Sequence, residues 1–226
     1  MLTTIRRVLS LLLILAGCGM LLWAWLPNPR QALSQYIEPP AMQAPAAGFA
    51  QIPAVLEVRQ VRMEWPTSLR IGEPGAITLS FDPVRSEIIV PKPEAQFSDV
   101  YNSYNLMAEG RFEVAGRRVD PANPIRESMP SGQTVKFTWQ LSPQEIGIYE
   151  CNVWLLLRFL PLDGSPASEV PVFVHQVDIQ GTSLFGLGGP QARLLGGVGI
   201  IASVILSLDL LFCRVIKRAE RSFNRR

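Results

Sequence analysis

The sequence predicts a mainly β domain, about seven antiparallel strands in a two-sheet sandwich, flanked by N- and C-terminal transmembrane helices. Three observations predict it. Residues 8–26 form an uncharged apolar run, and residues 194–213 form a second with a single acid. Between them, apolar and polar residues alternate in short runs bounded by turn residues, the period of half-buried strands. Positive charge gathers beside the apolar runs, whereas residues 27–193 carry 13 basic against 17 acidic side chains, net −4. A length of 226 residues accommodates one domain of ordinary size plus membrane segments.

The first run holds 19 residues, which at helical rise cover roughly 28 Å, about one hydrocarbon core. Trp23 and Trp25 fall near its outer end, where amphipathic rings favour the interface, and Pro27 and Pro29 stop the helix. Arg6 and Arg7 precede the run, so the positive-inside rule puts residue 1 in the cytoplasm. A second reading competes. Leu15-Ala16-Gly17-Cys18 resembles the lipobox of bacterial lipoproteins, which implies lipidation of Cys18 and removal of everything before it. Residues 19–26 stay apolar, however, where a lipoprotein turns polar. A secretory signal cleaved elsewhere is a third reading. All three place the following domain outside the cytoplasm.

The second run is followed by Arg214, Lys217, Arg218, Arg221, Arg225 and Arg226, with Glu220 the one acid among them, which predicts a cytoplasmic C-terminus. Gly199, Ser203 and Ser207 recur every fourth residue and line one helix face, a pattern that lets another helix approach closely. Its partner is expected to be the first helix or another protein. Asp209 lies inside the apolar run, where a carboxylate pairs, snorkels to the interface or meets a partner helix; ion or proton transfer is disfavoured, because two helices with one acid do not make a pathway. The chain thus divides into a transmembrane helix or lipoprotein signal (1–26), a Pro/Ala-rich linker (27–53), the extracytoplasmic β domain (54–181), a Gly-rich linker (182–193), a transmembrane helix (194–213) and a basic tail (214–226).

Within the domain, strands are expected near 54–64, 75–82, 86–91, 109–119, 134–142, 147–160 and 170–180. Ile77, Leu79 and Phe81 alternate with Thr78, Ser80 and Asp82; Val135, Phe137, Trp139 and Leu141 alternate with Lys136, Thr138 and Gln140. Such alternation marks strands with one face in the core. Helical periodicity is weak except around residues 96–107.

Glu145-Ile146-Gly147-Ile148-Tyr149-Glu150-Cys151 resembles the corner between strands E and F of immunoglobulin-like domains, with Ser142-Pro143 turning the chain before it and Gly72-Glu73-Pro74-Gly75 resembling the A-to-B turn. The resemblance implies that the Tyr149 hydroxyl hydrogen-bonds back to the corner backbone. It covers about ten residues in motif. No second cysteine faces Cys151, and Leu79 is expected at that place. The resemblance implies a binding or structural module, a fold that hosts many functions.

In the 147–160 run, Tyr149, Cys151, Val153, Leu155, Leu157 and Phe159 are expected to face the core. The other face then carries Ile148, Trp154, Leu156 and Leu160, more apolar area than a solvated sheet face usually holds. Either another segment of the chain, the linker or the 92–108 stretch, covers it, or a partner protein or the membrane surface does.

Catalytic chemistry is missing. The single histidine, His175, alternates with Phe173, Val177 and Ile179 and is expected at the core. One histidine and three scattered cysteines do not give zinc spacing, and Gly186-Leu187-Gly188-Gly189 lacks the lysine of a phosphate loop. No catalytic, metal or cofactor residue is therefore predicted, and neither nucleic acid nor a small-molecule substrate is expected as a partner. The expectation is a non-catalytic, membrane-anchored interaction module, an accessory or assembly subunit of a larger bacterial membrane complex, with other membrane subunits and the bilayer as partners. The alternative is a cell-surface ligand-binding receptor or sensor, disfavoured by the short tail.

Overall fold

The computed structural model describes residues 2–37, 58–84, 104–115 and 119–223, with residues 2–3 and 208–223 described by backbone alone. The described chain is mainly β, with a helix at each end. Helix α1 spans Leu2–Trp25. Nine strands follow: β1 Arg30–Ile37, β2 Arg59–Pro66, β3 Ser68–Arg70, β4 Gly75–Pro83, β5 Tyr104–Val114, β6 Ile125–Ser128, β7 Val135–Leu141, β8 Gly147–Pro161 and β9 Ser168–Thr182. Helix α2 closes the order at Gly189–Phe223.

Two compact units are present. The β unit comprises Asn28–Leu69 and Pro74–Gly181. It contains a four-stranded sheet in the order β1-β2-β4-β7, and a second sheet in the order β3-β9-β8-β5-β6. The alternation in β4 and β7 works as period two requires: Ile77, Leu79, Phe81, Phe137, Trp139 and Leu141 are all buried, and their polar neighbours point outward. In β8 the inward set from Tyr149 to Phe159 is buried likewise. These faces share one core. The Phe112 ring of β5 lies 5.7 Å from Trp139 of β7, and Trp139 stacks on Phe137 at 6.0 Å.

The strand map departs from expectation at several places. Residues 30–37, expected within a loose linker, form β1 and pair antiparallel with β2 from Arg30↔Pro66 to Ile37↔Arg59. Backbone ladder bonds hold this edge strand, of whose side chains only Leu33 and Ile37 pack on the core, and Gln31 and Gln35 share their face, so no clean alternation shows. Strand β5 starts at Tyr104 instead of residue 109, replacing the weak helical pattern there, and β3 and β6 are short additions. The expected count of seven therefore gives way to nine among the described residues. The expected strand at 86–91 and most of the 27–53 linker lie outside the described residues.

The helical unit comprises Met1–Pro27, Arg70–Glu73 and Thr182–Arg226. Both helices are long and apolar enough to cross a membrane, with spans at Thr4–Trp25 and Gly189–Ser207. Helix α2 begins at Gly189, inside the expected Gly-rich linker, because Pro190 sits in its first turn, where the missing N–H costs nothing. The helix also continues through most of the expected tail.

Candidate interaction surfaces

Glu109 anchors the outer face of the five-stranded sheet. The register sets it opposite Arg126 on β6 and Leu156 on β8. Its carboxylate is fully buried. Arg111 Nε donates to Oε1 at 2.7 Å, Arg126 Nε to Oε2 at 2.7 Å and Arg158 Nη1 to Oε2 at 3.3 Å. Glu169 on β9 completes the cluster, 2.8 Å from Arg158 Nη2. Burial by itself raises the Glu109 pKa, but the hydrogen bonds and charges of Arg126 and Arg111 outweigh it and hold the carboxyl below its ordinary value. The same pairing raises Arg126.

Three of the four residues expected on this face, Trp154, Leu156 and Leu160, alternate along β8 with Arg158 between them and are half-buried. The indole Nε1 of Trp154 is buried without a hydrogen-bond partner among the described residues. The fourth, Ile148, is not with them. Six residues from Trp154, it lies roughly 20 Å along the strand and is 72% exposed. It lines a shallow depression with Ala115, Ile146 and Glu150, beside the corner. Of the segments expected to cover the apolar face, residues 38–53 of the linker and 92–103 lie outside the described residues, residues 30–37 of the linker form β1 in the other sheet, and residues 104–108 belong to β5 itself.

At that corner Tyr149 is buried, and its hydroxyl donates to the Glu145 carbonyl at 2.9 Å while accepting the Glu145 N–H at 3.1 Å. The Cys151 thiol is fully buried. Burial first, then the charge of Asp178, pushes its pKa up to about 12. His175 is half-buried, its ring 5.9 Å from Trp65 and 6.0 Å from Phe173. That is a packing role. Among the described residues no group of three or more His, Cys, Asp or Glu is placed to hold a metal ion.

In the helical unit, α1 and α2 pack antiparallel along their small residues. A Cβ on Gly17 would meet the Gly196 carbonyl at 2.9 Å, and one on Gly196 would meet the Gly17 carbonyl at 3.0 Å, so only glycine permits this approach. Gly199 faces Leu13 and Gly17. Ser203 is buried, and Ser10 Oγ donates to its carbonyl at 3.2 Å. Ser10 and Ser207 share a hydrogen bond at 2.8 Å between their hydroxyls. The partner of the Gly199/Ser203/Ser207 face in this structure is thus α1. Cys18 is exposed and unpaired with another cysteine. The side chain of Asp209 lies outside the described residues.

A polar cluster that sequence reading missed joins the helix ends. Glu73 pairs with Arg70 at 3.3 Å and with Arg193. Arg70 also donates to the Leu26 carbonyl and lies 5.0 Å over the Trp23 ring. Arg193 reaches the Ala24 carbonyl at 3.4 Å. The one available signal was Glu73 in a tight turn, which carries no hint of partners over a hundred residues away.

No protein-family model matches this chain, and no curated protein matches it in sequence.

Proposed function

We propose that this chain is a two-pass protein of the cytoplasmic membrane, with both termini in the cytoplasm. Its β unit stands outside as a non-catalytic, immunoglobulin-like interaction module, an accessory or assembly subunit of a larger bacterial membrane complex. The helices support the membrane part: Leu11, Leu12, Leu15, Leu22, Ile201 and Ile205 point outward, while glycine, serine and alanine face inward. That inside-out arrangement suits lipid and not water. Arg6, Arg7 and the basic C-terminal residues support the orientation. Strand order supports the immunoglobulin-like part. The neighbours β2-β4-β7 and β9-β8-β5 follow the A-B-E and G-F-C order of that fold, with the tyrosine bond at the E–F corner. Strands β1, β3 and β6 stand outside that match.

The observation that carries the interaction reading is the outer face of β5 and β8. There an ionic cluster fixed around a buried carboxylate adjoins Trp154, Leu156 and Leu160, and an indole donor has no partner among the described residues. Tryptophan and arginine at the centre of a rigid face are the residues that dominate protein interfaces. The test is affinity isolation of the tagged full chain from native membranes in mild detergent, in parallel with a Trp154→Glu/Leu156→Glu variant. Companions at stoichiometric ratio that the variant loses, while it stays folded and membrane-bound, support the module. Companions retained by the variant move the contact elsewhere. A wild-type chain isolated alone overturns the subunit reading in favour of a receptor for a soluble ligand.

A further inference from the structure

The most exposed large apolar side chain among the described residues is Phe185, at 90%. It occupies the tip of a turn closed by two backbone hydrogen bonds, Leu184 N–H to the Leu187 carbonyl at 3.0 Å and Leu187 N–H to the Leu184 carbonyl at 2.9 Å. Both central residues, Phe185 and Gly186, have positive φ, 51° and 79°. A tight two-residue turn of this kind ordinarily takes asparagine, aspartate or glycine at its first position, because a bulky side chain crowds the backbone at positive φ. Phenylalanine strains the turn and is almost fully exposed among the described residues.

The segment that carries it is nonetheless firmly held. Ile71 donates its N–H to the Thr182 carbonyl at 3.0 Å and accepts the Gly189 N–H on its own carbonyl at 3.0 Å. One residue thereby pins both ends of the loop. Gly189 is the first residue of α2, and Trp25, 77% exposed, is the last of α1. Because the helices run antiparallel, with Arg193 at the Ala24 carbonyl, both lie at the same end of the pair. That end gathers Trp23, Trp25, Phe185, Arg70 and Arg193, the aromatic and cationic composition of a membrane–water boundary.

We infer that the 184–187 turn is a membrane-interface anchor: Phe185 inserts into the headgroup–acyl boundary of the bilayer that α1 and α2 cross, level with Trp25. Lipid supplies apolar contacts to this exposed ring, and the pinned loop presents it without further ordering. This inference rests on the reading of the two helices as membrane spans.

The test uses the full chain with Cys18 and Cys213 replaced by serine, reconstituted in vesicles of phosphatidylethanolamine and phosphatidylglycerol. A nitroxide is attached after Phe185→Cys, Val198→Cys or Lys136→Cys in separate variants. Accessibility to oxygen, which concentrates in lipid, is compared with accessibility to a water-soluble nickel chelate. The expected result is an oxygen-to-nickel ratio several-fold higher at 185 than at 136, approaching that at 198 in α2. A ratio at 185 equal to that at 136, with 198 still lipid-like, overturns the anchor and leaves the membrane reading standing. A water-like ratio at 198 overturns both. As a check free of the label, Phe185→Trp should add tryptophan fluorescence that brominated lipids quench; absence of added quenching also overturns the anchor.

Discussion

Tyr149 satisfies both backbone groups of Glu145 with a single hydroxyl, donating to the carbonyl at 2.9 Å and accepting from the N–H at 3.1 Å. The chain from Glu145 to Tyr149, where the β7–β8 connection enters β8, is thereby tied into a closed corner. Tyr149→Phe keeps the ring in the core and removes both of these hydrogen bonds. The variant should lose about 1–3 kcal/mol of stability, the cost of stripping partners from semi-buried polar groups. Urea denaturation of the full chain in detergent, followed by tryptophan fluorescence, checks it. An unchanged midpoint would mean that water replaces the hydroxyl without loss.

Glu109 predicts a pH dependence with a definite sign. Its carboxyl is held below the ordinary value of 4.5, so it adds stability above that pH, and the contribution disappears as pH falls through the lowered value. At neutral pH, Glu109→Gln should cost about 1–3 kcal/mol, less than a fully buried pair because the arginines are partly in water. Between about pH 5 and pH 3 the wild-type midpoint should fall more steeply than that of the variant. Parallel curves would remove Glu109 from the acid transition.

The thiol of Cys151 should be inert in the folded protein. With its pKa pushed up to about 12, almost no thiolate exists at pH 8, and no reagent reaches a side chain with 0% exposure. Full-chain protein retaining Cys151 alone should react with a chromogenic disulfide only after denaturant unfolds the β unit. Stoichiometric reaction under native conditions would show that the core opens locally.

The helix pairing is testable by cross-linking. The Ser10 and Ser207 hydroxyl oxygens are 2.8 Å apart, so Ser10→Cys with Ser207→Cys, in a chain with Cys18 and Cys213 replaced, should form an intramolecular disulfide under mild oxidation. Adding Gly17→Leu, whose Cβ would stand 2.9 Å from the Gly196 carbonyl and 3.0 Å from Ile200, should cut the yield several-fold. A yield indifferent to Gly17→Leu would mean that the helices do not meet along this face.

Much of the fold was legible because period and burial coincide in β4, β7 and β8. Every residue expected inward there, from Ile77 to Phe159, is buried. Strand β1 was illegible for the converse reason: backbone bonds to β2 hold it, and only Leu33 and Ile37 touch the core, on a face they share with Gln31 and Gln35. The surface was harder to read. Glu109, Arg126, Arg158 and Glu169 come from four strands, and only the register of β6-β5-β8-β9 brings them together. In a linear reading they are scattered single charges. Ile148 was grouped with Trp154 by parity alone, which fixes the face of a strand but not the distance along it. Phe185 was overlooked because Gly186 and its neighbours read as a linker, whereas a turn closed at both ends requires knowing that Ile71 stands beside it.

The edge of the five-stranded sheet also sets an order of events during synthesis. Strand β3, complete by residue 70, has β9 as its neighbour, and β9 ends at Thr182. For about a hundred residues of translation β3 waits unpaired, a long loop to close before its contact is rewarded. The next ordered element after β9 is the apolar helix from Gly189. The β unit therefore reaches its final topology only as the second helix is being made, and until then its unfinished sheet is the species that a chaperone or protease would meet.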